Sequence, residues 1–215
     1  MTRIKLSLLI IIAPLIAFSQ TDNNNPSDTK SLMVGLKVGL IVSNIYGSEA
    51  EQFKSIGINY TARKSWTLGI DLKKPISKNV YFKSGVNYAN VGTDFGNEND
   101  EFKVSLFRLP LLLGISPGKE NSNFSLEFGL SFNKMSSSSI SGPVGDRASW
   151  TKSLLTGFVI RQELEDGNWV YFNFRYFHDI SPYFTPHSFV SGVNIDRELN
   201  FRGLSLTIGL MLNPQ

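Results

Sequence analysis

The chain has 215 residues, with 21 Lys and Arg against 18 Asp and Glu, and no cysteine. A formal charge of +3 gives no basis for nucleic-acid binding. The missing cysteines exclude disulfides, thiolate metal sites, thiol nucleophiles and a lipoprotein-type anchor.

The first segment reads as a secretory leader. Arg3 and Lys5 precede an apolar run from Leu6 to Ala17, and Ala17 and Ser19 sit at the two positions a signal peptidase reads. The competing reading is a retained anchor, but the run is shorter than the ~20 residues a spanning helix needs. Cleavage is expected after Ser19. The resulting plan is a signal peptide over 1–19, a flexible polar segment over 20–31 and one β-domain over 32–215. Losing Arg3 and Lys5 takes the formal charge from +3 to +1.

Beyond residue 31 the sequence alternates apolar and polar residues with period two, the mark of a strand with one greasy and one wet face. Eight strands are predicted. The first is Leu32 to Asn44, with Leu32, Val34, Leu36, Val38, Leu40 and Val42 on one parity. The second reaches Lys73 and can begin as early as Ile56. The third runs from Val80 to about Val91. The fourth, Phe102 to Ile115, changes parity near Arg108-Leu109-Pro110, where a bulge would accommodate the proline. The fifth, Phe124 to about Met135, sets Phe124, Leu126, Phe128, Leu130 and Phe132 against Ser125, Glu127, Gly129, Ser131 and Asn133. The last three are Trp150 to Leu164, Trp169 to Ile180 and Leu199 to Leu212. No helical period of useful length is found.

Short, turn-rich connections join strands two to three, four to five and six to seven, and longer ones join the rest. Strict alternation places every long connection at one rim of an antiparallel barrel and both chain ends at the other. Bacterial outer-membrane barrels have this layout, with short periplasmic turns and long extracellular loops. A soluble barrel such as a lipocalin also has eight strands, with its apolar face inward, and parity alone does not separate the two. Two features favour the membrane form. Lys37, Asp71, Lys83, Glu127 and Arg175 share the face opposite the grease and mix signs, as a charge-paired lumen requires. The greasy face carries large aromatics, among them Trp66, Phe82, Phe124 and Phe174.

The segments "VGLKVGLIVSNIYG", "LGIDLKKPISKNVYFKSGVNYANVG" and "LFRLPLLLGIS" resemble, in order and spacing, the PorT-like small outer-membrane β-barrel proteins of Bacteroidetes. The likeness rests on Gly35, Lys37, Gly39, Leu40, Ser43 and Asn44, on the Pro-Ile-Ser-Lys-Asn turn, and on the Leu-Pro step of strand four. Arg108 stands where that family more often has an acidic residue. The resemblance spans nearly the whole chain after the leader. It implies an integral outer-membrane barrel and little about activity; the namesake's link to secretion and gliding is not carried over.

Catalytic signals are sparse. The two histidines are His178 and His187, and neither belongs to a metal-ligating cluster. His178, Asp179 and Ser181 faintly resemble the His-x-Ser segment of outer-membrane lipid A deacylases. Residues three apart on a strand point to opposite faces, however, so base and hydroxyl should not meet. Arg161 and Glu163 join the five charges above as candidate lumen residues. The expectation is an all-β, eight-stranded antiparallel transmembrane barrel of the cell outer membrane, with its termini in the periplasm. It is expected to be non-enzymatic and without cofactor or metal, and to work structurally or by interaction through its extracellular loops. Its expected partners are outer-membrane lipid and an unidentified envelope or secretion-system protein, with no nucleic acid. The alternatives are a narrow pore for small solutes and a lipid A-modifying hydrolase.

Overall fold

A computed structural model describes residues 32–95, 101–117, 123–138, 146–164, 167–185 and 198–212. The expected leader and the segment over 20–31 lie outside these residues. Eight long strands, each pairing antiparallel with its neighbours, close into a barrel: β1 (Met33–Tyr46), β2 (Tyr60–Pro75), β3 (Val80–Phe95), β4 (Glu101–Ile115), β5 (Phe124–Ser138), β7 (Trp150–Glu163), β8 (Trp169–Asp179) and β10 (Asn200–Leu212). The two-residue strands β6 (Asp146–Arg147) and β9 (Phe184–Thr185) pair with each other in two of the long connections. Closure comes from β1 against β10, from Val34 opposite Leu212 to Tyr46 opposite Asn200. Full closure leaves no unpaired edge, the condition for a sheet to stand in lipid.

The direction of each face is now fixed. Val34, Leu36, Val38, Leu40 and Val42 are exposed, with Leu36 at 63% and Leu40 at 64%. Trp66, Leu68, Ile70, Leu126, Phe128, Leu130, Leu206, Ile208 and Leu210 are exposed in the same way. Aromatic rings cross strands on this outer surface, Trp66 to Tyr88 to Phe107 at 5.4 Å per step, and Phe124 to Phe158 to Phe174 at 5.9 and 5.3 Å. An apolar surface on every strand far exceeds what a soluble monomer exposes. Its natural surroundings are hydrocarbon, so this is a barrel of the outer-membrane type. Among the described residues no helix is long and apolar enough to cross a membrane.

Both ends of the barrel chain, near Met33 and Leu212, lie at the rim that carries the short turns, since Met33 pairs with Lys73 and Leu212 with Val34. The turn after β7 is built tightly. Leu164 and Asn168 are bonded at 2.7 Å, and Gly167 takes φ 71°, a conformation open to glycine.

Two local expectations need correction. The first long connection contains a helix, α1 (Ser48–Ser55), where none was expected. It is eight residues long and turns Ala50 and Phe53 to the core among otherwise polar residues, too short an apolar stripe for periodicity to find. The fourth strand keeps its parity through Arg108-Leu109-Pro110. These residues pair regularly with Asn133, Phe132 and Ser131, and the register shift falls earlier, between Ser105 and Leu106. Pro110 lacks an N–H, and the described β3–β4 pairing skips Gly85 and Val86 opposite it without losing register. A second shift lies in β2, between Ala62 and Thr67.

Candidate functional site

The interior has two tiers. Toward the short-turn rim it is ionic. β1 supplies Lys37, β2 Asp71, β3 Lys83, β5 Glu127 and β8 Arg175, each on the inward parity of its strand and each almost wholly buried. Asp71 Oδ1 lies 2.6 Å from Lys37 Nζ, and Asp71 Oδ2 lies 3.2 Å from Lys83 Nζ. Lys83 Nζ also donates to Glu127 Oε1 at 3.0 Å, and Arg175 Nη2 donates to Glu127 Oε2 at 2.6 Å. The five side chains therefore form one chain of alternating sign across the lumen, with Lys83 bridging the two carboxylates.

The remaining lone pairs of the carboxylates are also used. Tyr171 donates to Asp71 Oδ2 at 2.9 Å, Tyr81 to Glu127 Oε1 at 2.9 Å, and Asn173 Nδ2 to Glu127 Oε2 at 2.9 Å. A buried carboxylate is tolerable only when it is paired and hydrogen-bonded in this way. Glycines make the room. A Cβ on Gly209 would sit 2.4 Å from the Tyr171 ring, and one on Gly114 would sit 2.0 Å from the Tyr81 ring. The phenols that reach the carboxylates thus lie flat over missing side chains on neighbouring strands.

Below this network, Lys73 stacks 4.1 Å from the Tyr81 ring and 4.3 Å from Trp169, and Arg161 stacks 4.2 Å from the same Trp169 ring. Such stacking helps to hold a buried cation. Glu163, read from parity as another lumen residue, is exposed at the end of β7. There the strand has left the barrel interior, so the inward parity no longer points into a lumen.

Toward the long-connection rim Ile41, Ile45, Val104, Leu106, Leu155, Phe177 and Phe201 pack into one buried apolar cluster, beside a hydrogen-bonded polar set that includes Asn90, Ser105, Asn133 and Ser153. Arg108 enters its edge, 4.2 Å over the Phe177 ring. Asp179 accepts from Ser153 Oγ at 2.5 Å and from the Phe201 N–H at 3.0 Å. In the next connection the Tyr183 phenol is pushed up by burial.

His178 and Ser181 are held apart by different partners. His178 stacks on Tyr46 with ring centroids 4.5 Å apart, and its Nδ1 lies 3.3 Å from the Tyr176 hydroxyl. Ser181 Oγ accepts from the Lys152 N–H at 2.7 Å. Tyr46 also donates its hydroxyl to the Asp179 carbonyl. Tyr46, Tyr176, His178 and Trp150 are amphipathic rings near the long-connection rim, where such side chains meet the interface of a bilayer. Among the described residues no group of three or more metal-binding side chains is found.

The fold and its filled lumen define a small closed barrel of the outer-membrane type. No family model matches the chain, and no curated protein matches it. Solved structures of similar fold include the outer membrane protein OprG of Pseudomonas aeruginosa, at 15% identity and TM-score 0.48, over 86% of this chain and 98% of that one. The attachment invasion locus protein Ail of Yersinia pestis is similar at 11% identity and TM-score 0.47, over 84% and 98%. The outer membrane protein AlkL, solved in lipid bilayers, is similar at 13% identity and TM-score 0.41, over 90% and 98%.

Proposed function

We propose that the chain is an integral protein of the bacterial outer membrane, closed by its own side chains, that acts without catalysis through the long connections at one rim. The observation that carries this reading is the pairing of an apolar exterior on every strand with a lumen filled by bonded charge. Exposed Leu and Phe select hydrocarbon as the surrounding medium. The ionic tier and the apolar cluster above it leave little free width between them. An eight-stranded barrel is just wide enough for side chains to fill, which favours a plug over a solute pore. The separate partners of His178 and Ser181 give no support to a lipid A hydrolase.

In this reading the short-turn rim, with both ends of the barrel strands, faces the periplasm, and the rim at the far ends of β5 and β8 faces outward. The five charges Lys37, Asp71, Lys83, Glu127 and Arg175 serve as the plug rather than as a reaction centre. The sequence resemblance to PorT-like barrels of Bacteroidetes is consistent with that place in the envelope and with a protein partner there. The test is cell fractionation followed by protease treatment of intact cells. The reading expects a heat-modifiable outer-membrane protein cut within 136–149 from outside. Recovery in the periplasm without detergent would end it.

A further inference from the structure

We propose that the lumen holds a monatomic anion of chloride size, bound between Arg108 and Arg175 where the ionic and apolar tiers meet. The first ground is charge. Among the described residues the buried set contains five cations, Lys37, Lys73, Lys83, Arg108 and Arg175, against three carboxylates, Asp71, Glu127 and Asp179. Asp71 and Glu127 are shared among Lys37, Lys83 and Arg175, and Lys73 rests on aromatic rings. No ion pair to Arg108 is found among the described residues, although Asp179 lies close enough to attract it. Its neighbouring carboxylate, Asp179, is engaged by Ser153 and the Phe201 N–H.

The second ground is unmet donors. Arg108 is 7% exposed, and its Nε and Nη2 have no hydrogen-bond partner. Arg175, also 7% exposed, spends Nη2 on Glu127 and leaves Nε unpartnered. Buried guanidinium nitrogens are costly to leave unbonded. The third ground is space. Both arginines line a cavity of about 30 Å³, together with Lys37, Asn87, Ser131 and Phe177. No carboxylate is among its lining residues. Asn87 Oδ1 is likewise unpartnered, and half a turn of that amide would present its Nδ2 as a further donor.

The size selects the ligand. One water needs roughly 10–15 Å³, so a cavity of about 30 Å³ takes two or three waters or one small anion. Chloride or bromide fits this space. Water alone could meet the donors but would leave the excess positive charge uncompensated. A halide does both. The anion would lock the ionic tier to the apolar one, and it neither requires nor implies conduction.

The experiment uses the whole mature chain, refolded in a zwitterionic detergent. Thermal unfolding is followed by the heat-modifiable gel shift in sodium bromide or chloride and in sodium gluconate at equal ionic strength. The site predicts a midpoint that rises with halide and saturates, and loss of that rise in Arg108→Met. Crystals of the unaltered protein grown in bromide supply a second readout, independent of whether the variant folds. An anomalous peak within hydrogen-bond distance of Arg108 and Arg175 is expected. Bromide found elsewhere with water in the cavity, or a halide effect that survives in Arg108→Met, would overturn the proposal.

Discussion

Replacing Glu127 with Gln tests whether the lumen charges are paired in a dry interior. Glu127 is 1% exposed and receives four donors: Lys83 at 3.0 Å, Arg175 at 2.6 Å, Tyr81 at 2.9 Å and Asn173 at 2.9 Å. Gln keeps the shape and one acceptor but turns an NH2 toward groups that themselves donate. Lys83 retains Asp71 at 3.2 Å, whereas Arg175 loses its carboxylate. Breaking a buried pair while stranding one partner costs ~3–5 kcal/mol. With a urea dependence of about 1–3 kcal/mol per molar, the unfolding midpoint should fall by on the order of 2 M. The assay is urea unfolding in detergent or lipid, read by gel mobility and tryptophan fluorescence. Changing Arg175 to Met in the same chain should recover part of the loss, because no stranded guanidinium remains. Glu163→Gln, at an exposed strand end, should stay within ~0.5 kcal/mol. A loss below about 1 kcal/mol for Glu127→Gln, with the fold intact, would mean that its carboxylate stands in open water and the plug is wrongly assigned.

Other perturbations probe separate parts of the structure. Arg at Leu206, which is 54% exposed on the outer face of β10, should destabilise by ~2–4 kcal/mol in lipid if that residue lies near the midplane, measured by the same unfolding assay. Gly209→Ala places a methyl 2.4 Å from the Tyr171 ring and 2.6 Å from the Leu36 carbonyl oxygen and should cost ~1–3 kcal/mol through overpacking; a neutral result would show that both the phenol and the β1 backbone give way. Purified protein in planar bilayers should give no long-lived open level, and a stable conductance altered by Lys37→Met would favour the pore. Lipid A from cells expressing the protein should keep its acylation by mass spectrometry, and Ser181→Ala should change nothing. Deacylation lost in both His178→Ala and Ser181→Ala would require a catalytic reading.

The barrel was legible because lipid imposes a strict rule on every strand. Leu126, Phe128 and Leu130 alternate with Glu127, Gly129 and Ser131 so regularly that strand number follows from counting, while facing had to be read from the mixed-sign charges on one face and the large aromatics on the other. The rule weakens where lipid no longer dictates the exterior or water the interior. Ile41 and Phe177 face inward, yet their residue types match the outward set, so parity could not announce an apolar upper tier. Arg108 was legible in principle, since Leu109, Leu111, Leu113 and Ile115 fix its inward parity. The proline beside it suggested a bulge instead. The helix over Ser48–Ser55 was hidden by the shortness of its apolar stripe, and the pairing of Asp146–Arg147 with Phe184–Thr185 joins residues nearly 40 apart whose sequence carries no strand alternation. The partners of each charge, such as the bridging position of Lys83, depend on strand register across the lumen, which no single strand encodes.

The central claim, a barrel with grease outside and bonded charge inside, can be tested directly because the chain has no native cysteine. Single cysteines at Phe128, which is 46% exposed, and at Ser131, which is 1% exposed, place one thiol on each face of the same strand. The refolded proteins in lipid vesicles are treated with a thiol reagent confined to the hydrocarbon layer. The account predicts rapid labelling of Phe128→Cys and none of Ser131→Cys. Labelling of Ser131→Cys with Phe128→Cys protected would contradict it.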